Sequence, residues 1–128
     1  MIRVVAGFVL GLSASQALAG LTLCDVISSD FSLQKIGWYD MSGEAKVMDA
    51  LGTVHDGRVT LIRDHAGRGK VNIEIAHDTP YYGSDLDEYV VFGTDKGYRV
   101  IGASYVIRDG QRYISVGLGN NPAECQVE

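Results

Sequence analysis

The sequence predicts a mainly β domain: a small antiparallel meander forming a barrel or sandwich, with one short helix and one disulfide. Three observations carry this. Apolar and polar residues alternate over most of the chain beyond Gly57, turn-forming pairs separate those stretches at short intervals, and two cysteines stand near the two ends of what reads as the mature chain. Sixteen glycines are spread through the 128 residues and only two prolines occur, Pro80 and Pro122, so nothing reads as a linker between domains.

Residues 1–19 read as a secretory signal peptide. Arg3 supplies a basic start, Val4 to Leu12 a short apolar run, and Ala17-Leu18-Ala19 the small residues that a signal peptidase selects. Removing 19 of 128 residues, Arg3 among them, leaves 109 with ten basic and 16 acidic groups, a net charge of −6. Residues 20–128 are then expected to form a single exported β-rich domain. The apolar run is short of the roughly 20 residues that a membrane helix needs, so no membrane insertion is expected. Leu23 before Cys24 is too large for a lipoprotein cleavage point. With an acidic balance and no basic stripe, a nucleic acid partner is not expected either.

Cys24 and Cys125 are the only cysteines. Export to an oxidising compartment, periplasmic or secreted, predicts one bridge between them. A metal-thiolate pair would call for a CxxC spacing that neither cysteine has.

The elements follow in order. Phe31 to Asp40, with Ile36, Trp38 and Tyr39, reads as a strand. Ser42 is placed to cap a short helix running to Leu51, with Val47, Met48 and Leu51 on one face and Gly52 to stop it. Arg58 to Ile62 and Lys70 to Ile75 read as a hairpin around residues 64–68. Pairing Arg63 with Gly69 sets Leu61 opposite Val71 and Val59 opposite Ile73, which keeps both apolar sets on one face. The same register brings His55 opposite His77. Tyr89 to Phe92 reads as a strand and residues 94–97 as a turn. Tyr98 to Arg108 then meets Gln111 to Leu118 through Asp109-Gly110, a pair favoured in two-residue hairpins. Pairing Arg108 with Gln111 makes one apolar surface of Tyr105 with Ile114, Ala103 with Val116 and Ile101 with Leu118. The other face carries Gly102 opposite Gly117 and Ser104 opposite Ser115, small enough for a helix, the chain ends or a partner to approach.

Two constellations stand out. The stretch from Asp78 to Tyr89 holds Asp78, Asp85, Asp87, Glu88, Tyr81, Tyr82 and Tyr89 without a Lys or Arg, and reads as a polar loop. Tyrosines supply contact area at low entropic cost and carboxylates steer a cationic partner, so Tyr81, Tyr82, Asp85, Asp87 and Glu88 are candidate partner-binding residues. The second constellation is His55 and His77 with Asp78 or Asp56 beside them, a candidate Zn²⁺ or Cu²⁺ site; His65 falls at the far end of the hairpin. Arg58, Arg63, Arg68 and Lys70 gather on that hairpin, interleaved with acids as in a solvated face.

Enzyme signatures are missing. There is no GxSxG elbow, Gly67-Arg68-Gly69-Lys70 lacks phosphate-loop spacing, the acids lack the order of a calcium loop, and the bridge would consume both thiols. The sequence therefore predicts a non-enzymatic periplasmic or secreted binding protein without a cofactor. Its reading is an inhibitor or immunity-type factor that meets a basic protein through the acidic, tyrosine-rich loop. A metal-binding domain and a small-molecule binder using a barrel interior are the alternatives. Oligomeric state is open.

Overall fold

A computed structural model describes residues 20–27, 33–39, 42–65 and 68–127, with side chains described except at 61–65 and 68. The expected signal peptide and the ends of the expected Phe31–Asp40 strand lie outside the described residues, as do the side chains of Arg63, His65 and Arg68.

Eight strands follow in order: β1 (Leu21–Val26), β2 (Leu33–Tyr39), β3 (Glu44–Asp49), β4 (Val54–His65), β5 (Arg68–Tyr81), β6 (Ser84–Thr94), β7 (Gly97–Arg108) and β8 (Gln111–Val127). Each pairs antiparallel with the next, and β1 pairs with β8, so the meander closes into a barrel. Closure removes the open edges that a flat sheet of this composition would present. An eight-stranded barrel has an interior that side chains can just fill. Here Ile36 and Trp38 of β2, Ala45 and Val47 of β3, Ile73 and Ile75 of β5, Tyr89 and Val91 of β6, and Val100 of β7 form that core.

The predicted disulfide is present between Cys24 and Cys125. The two residues are register partners on β1 and β8, so the bridge lies on the seam that closes the barrel.

The expected helix is replaced by β3 and a turn; among the described residues there is no helix. Ala45 and Val47 alternate inward with Glu44 and Lys46 outside. Pairing with β2 on one side and β4 on the other satisfies this segment's backbone, where an isolated helix of about two and a half turns is marginal. Gly52 serves a hairpin, donating to the carbonyl of Asp49 at 3.0 Å with a φ of 86°.

The expected loop from Asp78 to Glu88 is also strand. β5 runs through Tyr81 and β6 starts at Ser84, joined by Tyr82-Gly83 with φ of 49° and 81°. Asp109-Gly110 makes the predicted turn in the same left-handed conformation, at 52° and 76°.

Bulges alter two registers. In β4–β5, Val59 faces Ile73 as expected, but a shift between Val59 and Leu61 sets Ile62 opposite Val71 and Arg63 opposite Lys70. In β7–β8, Tyr105 faces Ile114 as expected. Shifts on either side of Ala103 and Ser104 then place Ser104 opposite Val116, Ala103 opposite Gly117 and Gly102 opposite Gly119. The expected apolar surface is not core, because β7 turns Val100, Gly102 and Ser104 inward: Ile101 and Val116 are exposed and Ile114 is 68% exposed. Of the small residues only Gly102 and Ser104 on β7 face inward, whereas Ser115 and Gly117 on β8 are exposed. A Cβ on Gly102 would lie 2.8 Å from the Tyr89 ring and 3.1 Å from Leu118 Cβ, so that aromatic ring occupies the space glycine leaves.

Candidate functional site

The inward-facing residues of β3 to β7 change character toward one end of the barrel. Past the apolar core come Asp49 of β3, His55 of β4, His77 and Tyr81 of β5, Ser84 and Asp87 of β6, and Ser104 of β7. The ladders set His55 opposite Val47, and Asp87 between Ile75 and Ser104, and side-chain hydrogen bonds and ring contacts join the others to them. Together they make a polar belt in the barrel mouth.

Each carboxylate of the belt gathers donors. Asp49 Oδ1 accepts the backbone N–H groups of Leu51 at 2.9 Å and Thr53 at 3.0 Å, while its Oδ2 accepts His55 Nε2 at 3.0 Å and the Tyr81 hydroxyl. Asp87 Oδ1 accepts the hydroxyls of Ser84 at 2.7 Å and Ser104 at 2.6 Å; its Oδ2 accepts His77 Nε2 at 2.9 Å. Because an ionised carboxylate only accepts, both imidazoles are held as Nε2–H donors, which leaves Nδ1 with the lone pair when the ring is neutral. The rings meet: the His55 and His77 centroids are 5.5 Å apart, and Tyr81 stacks on His77 at 5.4 Å.

Burial disfavours the Asp49 charge, but the bonds from Tyr81, His55, Thr53 and Leu51 outweigh it and hold the carboxyl below its usual range. For Tyr81, first the bond to Asp49 and then burial push the phenol upward. Tyr81 therefore stays a neutral donor to Asp49.

Beside the belt lies a cavity of about 270 Å³. Val47, Ile75, Tyr89 and Leu118 make its apolar walls; Asp49, His55, Tyr81, Ser84, Asp87 and Ser104 supply its polar surface. A concave apolar site with a few convergent polar groups suits a small molecule. The two serine hydroxyls donate to a carboxylate rather than to an imidazole, so neither is arranged as an activated nucleophile.

The structure divides the residues predicted from sequence. Tyr81 and Asp87 enter the mouth, and Tyr82 stands on its rim, 82% exposed and edge-on to Tyr81 at 4.8 Å. Asp85 accepts the Ile107 N–H at 2.8 Å, and Glu88 accepts the Tyr105 hydroxyl at 3.2 Å. His55 and His77 do come together. Their carboxylate partners are Asp49 and Asp87, whereas Asp78 is exposed and Asp56 pairs with Lys46 at 2.7 Å. Among the described residues no group of three or more His, Cys, Asp or Glu side chains is placed to hold a metal ion.

Sequence reasoning missed Asp49, Ser84 and Ser104 as site residues. Asp49 fell within the expected helix, although the alternation Ala45, Val47, Asp49 before Gly52 carries it to the level of His55. Ser104 was read as merely small. The chain matches no protein-family model, no curated protein and no solved structure.

Proposed function

We propose that the protein is an exported, non-enzymatic binding protein that holds a small molecule in the mouth of its barrel. One observation carries the reading: the cavity of about 270 Å³ joins apolar walls to a belt of oriented Asp–His pairs. In volume it corresponds to roughly nine water molecules at about 30 Å³ each, which suits a fragment-sized ligand. The signal peptide and the disulfide support a periplasmic or secreted location. Protein contact through Tyr81, Tyr82, Asp85, Asp87 and Glu88, as in an inhibitor or immunity-type factor, has less support. All three carboxylates this needs, Asp85, Asp87 and Glu88, already hold partners within the barrel wall, and the Tyr81 hydroxyl is bonded to Asp49.

The test is ligand-observed NMR of a fragment set against the oxidised mature protein and a Val116→Trp variant. Val116 lines the mouth and is exposed, so the indole blocks the cavity without repacking the core. The reading expects fragments that bind the natural protein and lose binding to the variant. Fragments that bind both alike, or none that bind, would refute it.

A further inference from the structure

We infer that the ligand of the mouth is a small organic cation, an alkyl- or arylammonium or amidinium with an apolar body, anchored on Asp87. This rests on the small-molecule reading above and names its chemical class.

Hydrogen-bond supply and demand in the belt decide the class. The side-chain donors His55 Nε2, Tyr81 hydroxyl and Ser104 hydroxyl are all committed to carboxylates, and Ser84 is committed to Asp87 or to the Leu86 carbonyl at 3.0 Å. What the belt still offers is acceptors: the remaining lone pairs of the serine hydroxyls, Nδ1 of His55, and Asp87 itself, the Tyr81 oxygen already accepting from Thr53. An ionised carboxylate has about four acceptor positions. Asp49 fills four, with Leu51, Thr53, His55 and Tyr81, whereas Asp87 fills at most three, with Ser104, His77 and, when its one proton turns from Leu86, Ser84. The vacant position of the belt therefore belongs to Asp87, which faces the cavity. A ligand that brings N–H donors completes it, and one that brings only acceptors strands a desolvated lone pair against its own.

Charge points the same way. Among the described residues two carboxylates and no Lys or Arg line the cavity, and the Asp87 side chain is only 14% exposed, so an anionic ligand meets repulsion with little solvent screening. Tyr82 on the rim adds an exposed aromatic face of the kind that attracts ammonium groups. The apolar walls of Val47, Ile75 and Leu118 take the body of the ligand.

The experiment is a calorimetric series on the oxidised mature protein with three probes of similar shape: benzylammonium, benzyl alcohol and benzoate. Benzylammonium is expected to bind at least about tenfold more tightly than benzyl alcohol, with benzoate weakest, and Asp87→Asn is expected to erase the preference for the ammonium. Benzyl alcohol or benzoate binding as well as benzylammonium, in a manner abolished by Val116→Trp, would overturn the cation assignment and leave the small-molecule reading standing. Absence of binding by all three probes would overturn the cation assignment, and the fragment screen then decides the broader reading. The probe series needs no variant, so it stands even if Asp87→Asn fails to fold.

Discussion

Cys24 and Cys125 face each other across the β1–β8 seam with their Cα atoms 4.0 Å apart, so the covalent bond and the ladder that closes the barrel act at the same place. The cross-link joins residues 101 apart in sequence. Replacing both by Ser is expected to cost about 2–5 kcal/mol, as for native disulfides of small secreted domains. Urea unfolding of the oxidised protein and the double variant checks this. Equal midpoints would mean that the seam is held by its backbone and packing alone.

Which face is core is testable with two isoleucines. Ile73 is fully buried in the barrel, and Ile73→Ala is expected to cost about 2–5 kcal/mol through lost transfer energy and a residual cavity. Ile114 is mostly exposed, and Ile114→Ala is expected to change stability by less than about 0.5 kcal/mol. Comparable losses from the two would show that the outward face of the β7–β8 hairpin is packed in solution.

A paired glycine test probes the closeness of β4 and β5. A Cβ on Gly57 would lie 2.4 Å from Ile75 Cδ1 and 2.7 Å from the Glu74 carbonyl oxygen; at Gly69 it would meet nothing. The side chain can turn away but the backbone oxygen cannot without moving the strand. Gly57→Ala is therefore expected to destabilise by about 1–3 kcal/mol, and Gly69→Ala by much less. Thermal unfolding of both variants decides it.

Asp49 gives the acid limb of stability a definite sign. Its carboxyl is held below the ordinary range in the folded state, so its contribution is complete above the unfolded value, about 3.9, and is lost as the pH falls through the folded one. Asp49→Asn is expected to lower stability by about 1–3 kcal/mol near neutral pH, since an amide cannot accept all four donors. The deficit should shrink as the pH falls below about 4. A deficit that stays constant down to pH about 2 would contradict the assignment.

The β-rich class, the disulfide and the two C-terminal hairpin strands were legible because each rests on simple pattern: period-2 alternation, an Asp-Gly turn, and two cysteines in a chain that opens on a signal-like segment. The register at Tyr105 and Ile114 was legible for the same reason, since it lies within a few residues of that turn. The bulges beyond it were not, and each slip reverses which residues face inward. On β7 itself the alternation is unbroken, but its more apolar face, Ile101, Ala103 and Tyr105, is the one turned outward, and closure of the barrel sets Val100, Gly102 and Ser104 inside. Glu44–Asp49 carries both a helical and a strand pattern, and pairing on both sides decides between them. Tyr82-Gly83 hid a tight turn because tyrosine rarely adopts the positive φ such turns require, and the whole acidic stretch then passed for a loop. Of the candidate site, the meeting of His55 with His77 followed from register alone. Asp49, Ser84 and Ser104 required the closed barrel, because the belt they complete spans five strands.

The most direct test of the account is a ¹H–¹⁵N correlation spectrum of the oxidised mature protein titrated with benzylammonium. The account predicts shifts concentrated at the mouth, on the amides of Leu51, Thr53, Ser84 and Ser104, and missing from the opposite end around Asp95 to Gly97. Shifts centred on the exposed β7–β8 face or at the opposite end, or no shifts at all, would contradict it.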